Sequence, residues 1–287
     1  MDISAIITTY KRKAYIVRRA IESVLNQTVE VDEIIVVDDN TIGSNYSTQL
    51  AEMLKEMPSK VKYIKQLEGN GNLGACEARN LGISESSGRY IGFLDDDDWW
   101  LPNKIEYQIA AFKDGVGLVF CCGEILEESS EGEKKYDYFT SSFFKEVVSF
   151  HDMLMFDYVG STSNPLIRRE CFSICGGFDP KMPARQDYEM WIRIAKKYSI
   201  VGIKEKLFIH TLHEGEQISR NTNKVVKGYL LICEKNKESY KYDYVARHMK
   251  NKQLAKMTFG INNRVFIRSV IIMLMARVEM IFRGEQG

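Results

Sequence analysis

The sequence predicts an α/β protein built on a mostly parallel sheet, with helices on both faces. Three observations carry this. Short, nearly uninterrupted Val/Ile runs stand at Ile3–Ile7 and Glu33–Val37. Segments with helical periodicity separate such runs, and a continuous apolar strand is the pattern of a strand buried on both faces. Polar residues then concentrate where the runs end, as Thr8-Thr9-Tyr10, Asp38-Asp39 and Asp95-Asp96-Asp97-Asp98.

The first strand is Ile3-Ser4-Ala5-Ile6-Ile7, and Ala14 to Gln27 follows with Ile16, Ala20, Ile21, Val24 and Leu25 at helical spacing. Glu33 to Val37 forms the second strand. A helix over Ser47–Met57, a strand over Val61–Lys65, a helix over Ala75–Ser84 and a strand over Arg89–Leu94 continue the alternation. Glu127–Tyr138 is polar and charged and reads as a surface loop. Phe150–Tyr158, Arg185–Tyr198 and the chain beyond Asn221 read as helices, and no internal repeat is present. Open parallel sheets bind ligands outside the carboxyl ends of their strands. The three polar clusters therefore converge on one crevice.

A chain of 287 residues, 45% hydrophobic, can bury a substantial core. Its net charge of zero gives no general reason to expect a nucleic-acid partner. The charge is uneven, however. Residues 220–287 hold 14 Lys/Arg and 5 Asp/Glu, a net of +9, which leaves 25 basic and 34 acidic residues, a net of −9, in residues 1–219. A basic tail on an acidic body is either a solvated helical face or a surface for an anionic membrane or partner. The last helix, around Val265–Met275, is apolar with Arg264, Arg268, Arg277 and Arg283 spaced along it. Its composition suits a peripheral membrane contact, a homodimer interface, or packing on the body; Met- and Ile-rich helices favour the last two. The six cysteines form no Cys-x-x-Cys pair and read as buried free thiols in a reducing compartment. With no signal-like segment and no 18-residue apolar run, the expected location is cytoplasmic, at most peripheral on the inner face of the membrane.

Four consecutive carboxylates repel one another unless a cation neutralises them. Mg2+ and Mn2+ prefer oxygen ligands and complete their shells with phosphate oxygens. An acidic cluster ending an apolar strand thus suits a metal–diphosphate. The alternative is a solvated acidic turn, against which stand the strand Tyr90–Leu94 before it and Trp99-Trp100-Leu101-Pro102 after it.

These motifs carry a resemblance. Ile6-Ile7-Thr8-Thr9-Tyr10, Ile35-Val36-Val37-Asp38-Asp39-Asn40, Gly74-Ala75-Cys76-Glu77-Ala78-Arg79-Asn80 and Phe93-Leu94-Asp95-Asp96-Asp97-Asp98-Trp99-Trp100 stand in order. Gly176-Gly177-Phe178-Asp179, Asp187-Tyr188-Glu189-Met190-Trp191 and His213-Glu214-Gly215 follow. From Met1 to about Ser219 the chain resembles inverting family 2 glycosyltransferases of the GT-A fold, with Asp95-x-Asp97 as the family's Asp-x-Asp. The resemblance implies a catalytic domain over 1–219, nucleotide-sugar binding in 1–100 and acceptor binding in 101–219, with a basic helical extension over 220–287. It implies a UDP-sugar donor, Mn2+ or Mg2+, and a glycan, lipid-linked or glycoprotein acceptor. Thr8, Thr9 and Tyr10 are then expected at the nucleobase pocket, Asp39 at the uracil imide with Asp38 beside it, and Arg79 at the diphosphate. Gly74 belongs to a loop passing the donor phosphates. Asp97 is expected to bind the metal, supported by Asp95 and Asp96, with His213 near it, and Asp187 to be the general base.

Each assignment has a plainer rival. Asp187 opens an amphipathic helix, where an acidic cap is common, and Gln186 stands where the family pattern usually has Glu. Tyr10 fits ordinary packing at a strand end, and His213 an ordinary surface or core histidine. His151, His210 and His248 lack comparable context and read as structural. Gly69-Asn70-Gly71-Asn72-Leu73-Gly74 satisfies G-x-G-x-x-G, but it follows two earlier βα units rather than opening the first, which disfavours a nicotinamide site. A nucleotidyltransferase is disfavoured because no glycine-rich loop follows the first strand. A catalytically inactive nucleotide-sugar-binding or scaffold subunit is the rival from another class.

Overall fold

The computed structural model describes residues 2–67, 71–129, 132–138, 144–212, 221–260 and 262–283. Its strands are β1 (Ile3–Thr9), β2 (Glu33–Asp38), β3 (Val61–Lys65), β4 (Tyr90–Asp95), β5 (Trp99–Trp100), β6 (Val116–Ser129), β7 (Gly132–Asp137), β8 (Val147–Val148), β9 (Leu166–Arg168) and β10 (Ser199–Leu212). The helices α1 (Ala14–Leu25), α2 (Asn45–Leu54), α3 (Ala75–Glu85), α4 (Lys104–Ala110), α5 (Phe150–Met155), α6 (Arg169–Cys175) and α7 (Gln186–Ala195) pack around the sheet. Four more follow: α8 (Thr222–Lys235), α9 (Lys237–Tyr242), α10 (Tyr244–Thr258) and α11 (Asn263–Arg283).

The sheet runs β3-β2-β1-β4-β9-β6-β10-β5, with β7 paired to β6 and β8 to β10. Its first four strands are parallel, β9 runs antiparallel to both β4 and β6, and β10 returns parallel to β6. Alternation within the apolar runs sorts their side chains between two cores. Ile6, Ile35, Val37 and Phe93 join α3, α5, α6 and α7 on one face. Ala5, Ile7, Ile34, Val36 and Leu94 join α1, α2 and α4 on the other. Burial on both faces is why these strands carry no polar alternation.

The C-terminal helices share the first of these cores: Tyr229, Ile232, Tyr240, Ala246 and Leu254 are buried in it. Of the six cysteines, all free, four are buried and Cys175 and Cys233 are half-buried. Among the described residues, no helix is long and apolar enough to cross a membrane.

One expectation is corrected. Glu127–Ser129 and Gly132–Asp137 are paired strand rather than loop, with β7 pairing antiparallel to β6 from Glu124↔Asp137 to Ser129↔Gly132. Every residue of β7 is exposed. A strand with no buried face has no apolar alternation to betray it.

Candidate active site

Register alone brings the polar clusters together: Thr8 lies opposite Asp95 on β4, and Thr9 opposite Asp38 on β2. Within this crevice two carboxylates shape loops. Asp38, fully buried, accepts hydrogen bonds from the Asn40 backbone at 2.9 Å, Asn40 Nδ2 at 2.7 Å, Ser47 Oγ at 2.6 Å and Tyr63 OH at 2.8 Å, and pairs with Lys65 at 3.1 Å. Burial opposes its ionisation, but the hydrogen bonds from Ser47, Asn40 and Tyr63 outweigh that and hold the carboxyl below its ordinary range. Asp39 accepts from the N–H groups of Leu73 and Gly74, both at 2.9 Å. It thereby folds the 71–74 segment against β2 and sets the entry to α3, which begins after Gly74 (φ 97°) without a side-chain cap.

The acidic loop is rigid. Asp98 accepts from Ser163 Oγ at 2.5 Å and the Thr211 N–H at 2.8 Å, and contacts His210 Nδ1 at 3.1 Å. The Asp97 carbonyl accepts from Arg19 and Thr211, both at 2.7 Å. Arg79, buried on α3, donates to Asp95 at 2.7 Å, while its Nε has no hydrogen-bond partner among the described residues. Burial opposes ionisation of Asp95, but the charge and hydrogen bond of Arg79 hold its carboxyl below the usual range. Thr9 Oγ1 donates to Asp96 at 2.6 Å. Arg12 spans Asp96 at 2.9 Å and Asp97 at 2.7 Å. Burial, then the charges of Asp98 and Asp96, push the Asp97 carboxyl up to about 8 against the pull of Arg12.

Those donors fit a hard divalent cation. Carboxylate oxygens are its preferred ligands, and a cation beside Asp97 relieves the crowding of like charge. Among the described residues no three His, Cys, Asp or Glu side chains cluster as metal ligands. Asp95 and Asp97 therefore leave most of such an ion's shell to other oxygens, which is usual where phosphates complete it.

Asp187 stands at the first turn of α7, its Oδ1 accepting from the Tyr188 N–H at 2.8 Å. Burial raises its pKa, against the attraction of Arg185 and Arg79, and Asp95 adds to the rise. The base candidate thus lies within electrostatic reach of Arg79 and Asp95, although it comes from a distant part of the chain. The residue before α7, Arg185, is left-handed (φ 59°, ψ 32°), and its guanidinium lies 4.8 Å from the Tyr229 ring centroid. A Cβ on Gly228 of α8 would sit 2.4 Å from the Ala184 carbonyl oxygen, so only glycine lets α8 press this closely on the segment leading to Asp187.

Of the residues singled out in the sequence, Thr9, Asp95, Asp96, Asp97 and Arg79 share one hydrogen-bonded cluster. Thr8 is half-buried beside it, and Tyr10 is 37% exposed at the crevice mouth. His213, Gly69 and Asn70 lie outside the described residues. Three further residues join the site without a motif to mark them. Arg12 stands in the basic run Lys11-Arg12-Lys13 that follows β1. Asp157 is half-buried, accepts from the Gly160 N–H at 2.9 Å and is pushed up to about 6 by the burial of its carboxyl and by Asp187. His210, read as structural, is instead in the site. Burial opposes its protonation, but Asp98, Asp95 and Asp97 raise it to about 9.

The sequence profile described as Glycosyl transferase family 2 matches residues 4–172, more than half of the chain. The chain belongs to glycosyltransferase family 2. This transferase is 28% identical over 261 residues to an uncharacterized glycosyltransferase of Methanocaldococcus jannaschii, MJ1057, covering 88% of this chain and 80% of that one. It is 27% identical over 285 residues to WcaA of Escherichia coli, whose name proposes a colanic acid biosynthesis glycosyl transferase, covering 96% and 94%. The GT-A-type fold of the transferase is shared with residues 1–349 of Staphylococcus aureus TarS in complex with UDP-GlcNAc. That match has a TM-score of 0.65 at 16% identity and covers 96% of this chain and 81% of the other. Against a longer TarS chain, the transferase spans 44% of the length.

Proposed function

We propose that this enzyme transfers a hexose or hexosamine from a UDP-sugar to a hydroxyl of a glycan, glycolipid or glycoprotein, with inversion, and that Asp187 is the general base. The observation that carries the reading is the meeting of a loop-borne acidic cluster, the buried cation Arg79 and a carboxyl of raised pKa at one sheet edge. A TarS structure holding UDP-GlcNAc supports the choice of donor class.

Transfer builds negative charge on the departing diphosphate and positive character at the anomeric carbon. Arg79, whose buried Nε has no acceptor among the described residues, is suited to a diphosphate oxygen, where a guanidinium gives charge-assisted hydrogen bonds. A divalent ion held by Asp97 and Asp95 would neutralise leaving-group charge electrostatically. Asp39, by fastening Leu73 and Gly74, sets the loop that lines the nucleoside side, and Tyr10 offers an exposed ring for the base to stack on. Asp187 takes the acceptor's proton. Its raised pKa brings it closer to the operating pH than an ordinary aspartate, which improves a general base.

The test is a donor panel. Hydrolysis and transfer are assayed over UDP-, GDP- and dTDP-sugars, each with Mn2+, with Mg2+ and with chelator. Metal-dependent transfer from a UDP-sugar alone is the expected result. Stoichiometric UDP binding without turnover on any donor or acceptor would replace this reading with that of an inactive binding subunit.

A further inference from the structure

The last helix has two apolar faces, and only one of them is covered. Ser269, Ala276 and Met280 are buried, and α11 packs on α10. At 100° per residue these three centre on one direction. Ile267, Ile271, Leu274, Val278, Ile281 and Phe282 centre on the opposite one, and each is between 51% and 86% exposed. From Ile267 to Phe282, at about 1.5 Å per residue, this ridge runs roughly 22 Å along the helix. A ridge of that size is well beyond the scattered apolar residues of an ordinary surface.

The margins of the ridge name its partner. Arg268 lies along one edge and Arg277 along the other, with Arg264 and Arg283 at the ends. The only carboxylate of α11 within its described span, Glu279, is engaged by Arg247. Beside Arg268 a cavity of about 560 Å3 opens between α8, α9, α10 and α11, lined by Lys237, Lys241, Arg247 and Lys250 and also by Glu234 and Glu238. A second copy docking ridge to ridge would bring arginine margins against arginine margins, and Glu279, the one carboxylate within the described span of α11, already pairs with Arg247. A bilayer surface carrying anionic lipids supplies both things the ridge lacks, acyl chains for its crest and phosphates for its edges.

We infer that α11 lies in the interface of an anionic membrane, apolar ridge down, and holds the enzyme there peripherally. The α10–α11 pair is fastened to α7, which carries Asp187 in its first turn, because Lys250 of α10 donates to Tyr188 OH at 2.7 Å. The membrane-bound enzyme therefore works on acceptors presented at that surface. The inference does not depend on the donor or on metal use.

The experiment sediments the full chain with vesicles of phosphatidylcholine containing about a third phosphatidylglycerol, and with phosphatidylcholine alone. Binding to the anionic vesicles about tenfold or more above the neutral ones, weakening as salt rises, is expected. Val278→Asp combined with Ile271→Asp, and separately Arg268→Glu combined with Arg277→Glu, should each abolish it. All four positions are exposed, so unchanged melting and unchanged UDP binding show that these variants are folded. Equal sedimentation with both vesicles, or wild-type binding by either variant, overturns the inference. So does a dimer in sedimentation velocity that the Asp variant dissociates, since the ridge then belongs to a second copy.

Discussion

At the scale of single residues, the proposal divides the labour between Asp187 as base and Asp97 as metal ligand. Asp187→Asn removes a proton acceptor but leaves Arg79 and the acidic loop intact. Transfer should fall by roughly 10^2 to 10^4-fold, the usual share of general-base catalysis, with UDP affinity changed little. A base works only when ionised, so kcat/KM should decline as pH falls through the Asp187 pKa. Because burial raises that pKa, the decline should begin above the ordinary carboxylate range, and the variant's residual rate should lack it. An Asn variant with full turnover would remove Asp187 from the chemistry. Asp97→Ala predicts the converse: UDP affinity in Mn2+ should drop by about tenfold or more, towards the value in chelator. Affinity indifferent to this change would remove the metal assignment. Aspartates 95 to 98 were legible from sequence because four carboxylates after an apolar strand are unusual. His210 was not, because nothing local marks it; only the pairing of β10 with β5 and β6 carries it to Asp98.

At the scale of elements, the segment from Gly71 to Gly74 is the joint that leads from β3 into α3 and packs against the end of β2. Gly71 has φ 79°, and a Cβ there would stand 2.2 Å from the Asn40 carbonyl oxygen, a backbone atom that cannot swing aside. Gly71→Ala therefore combines left-handed strain with a collision, about 2 kcal/mol or more. The expected outcome is a melting temperature lower by several degrees and weaker UDP binding, because the Asp39 bonds to Leu73 and Gly74 must shift. An Ala variant with wild-type affinity would show that this joint does not shape the nucleotide side. The strands that line this joint were readable in advance because burial on both faces makes them continuously apolar. The other half of the sheet was harder to read. β9 has three residues, too few for any period. β10 carries Lys204-Glu205-Lys206 at its register irregularity with β6, so charge interrupts the pattern where the strand bulges.

At the scale of the whole molecule, Lys250 is the pin between the C-terminal helices and the catalytic body. It is fully buried, its ammonium 4.2 Å from the Tyr188 ring centroid and 4.6 Å from that of Tyr229. Burial, opposed by Cys233 and Asp157, lowers its pKa to about 7 from an ordinary 10.5. Between those values the unfolded chain holds a proton that the folded one does not. The contribution of this group to stability is therefore complete above pH 10.5, shrinks as pH falls, and is lost by about pH 7. Lys250→Met keeps most of the volume and leaves no buried donor without a partner, since Tyr188 OH still donates to the Met153 carbonyl at 2.6 Å. The melting temperature of the variant relative to wild type should thus be more favourable at pH 7 than at pH 9. The difference is expected to be on the order of 5 °C, with the two tyrosine faces offsetting part of it by attracting the charged form. Hydrogen exchange in α10 should follow the same order, fastest in the wild type at pH 7 once intrinsic rates are divided out. A difference in melting temperature that is the same at both pH values would mean that the tyrosine cage keeps Lys250 charged.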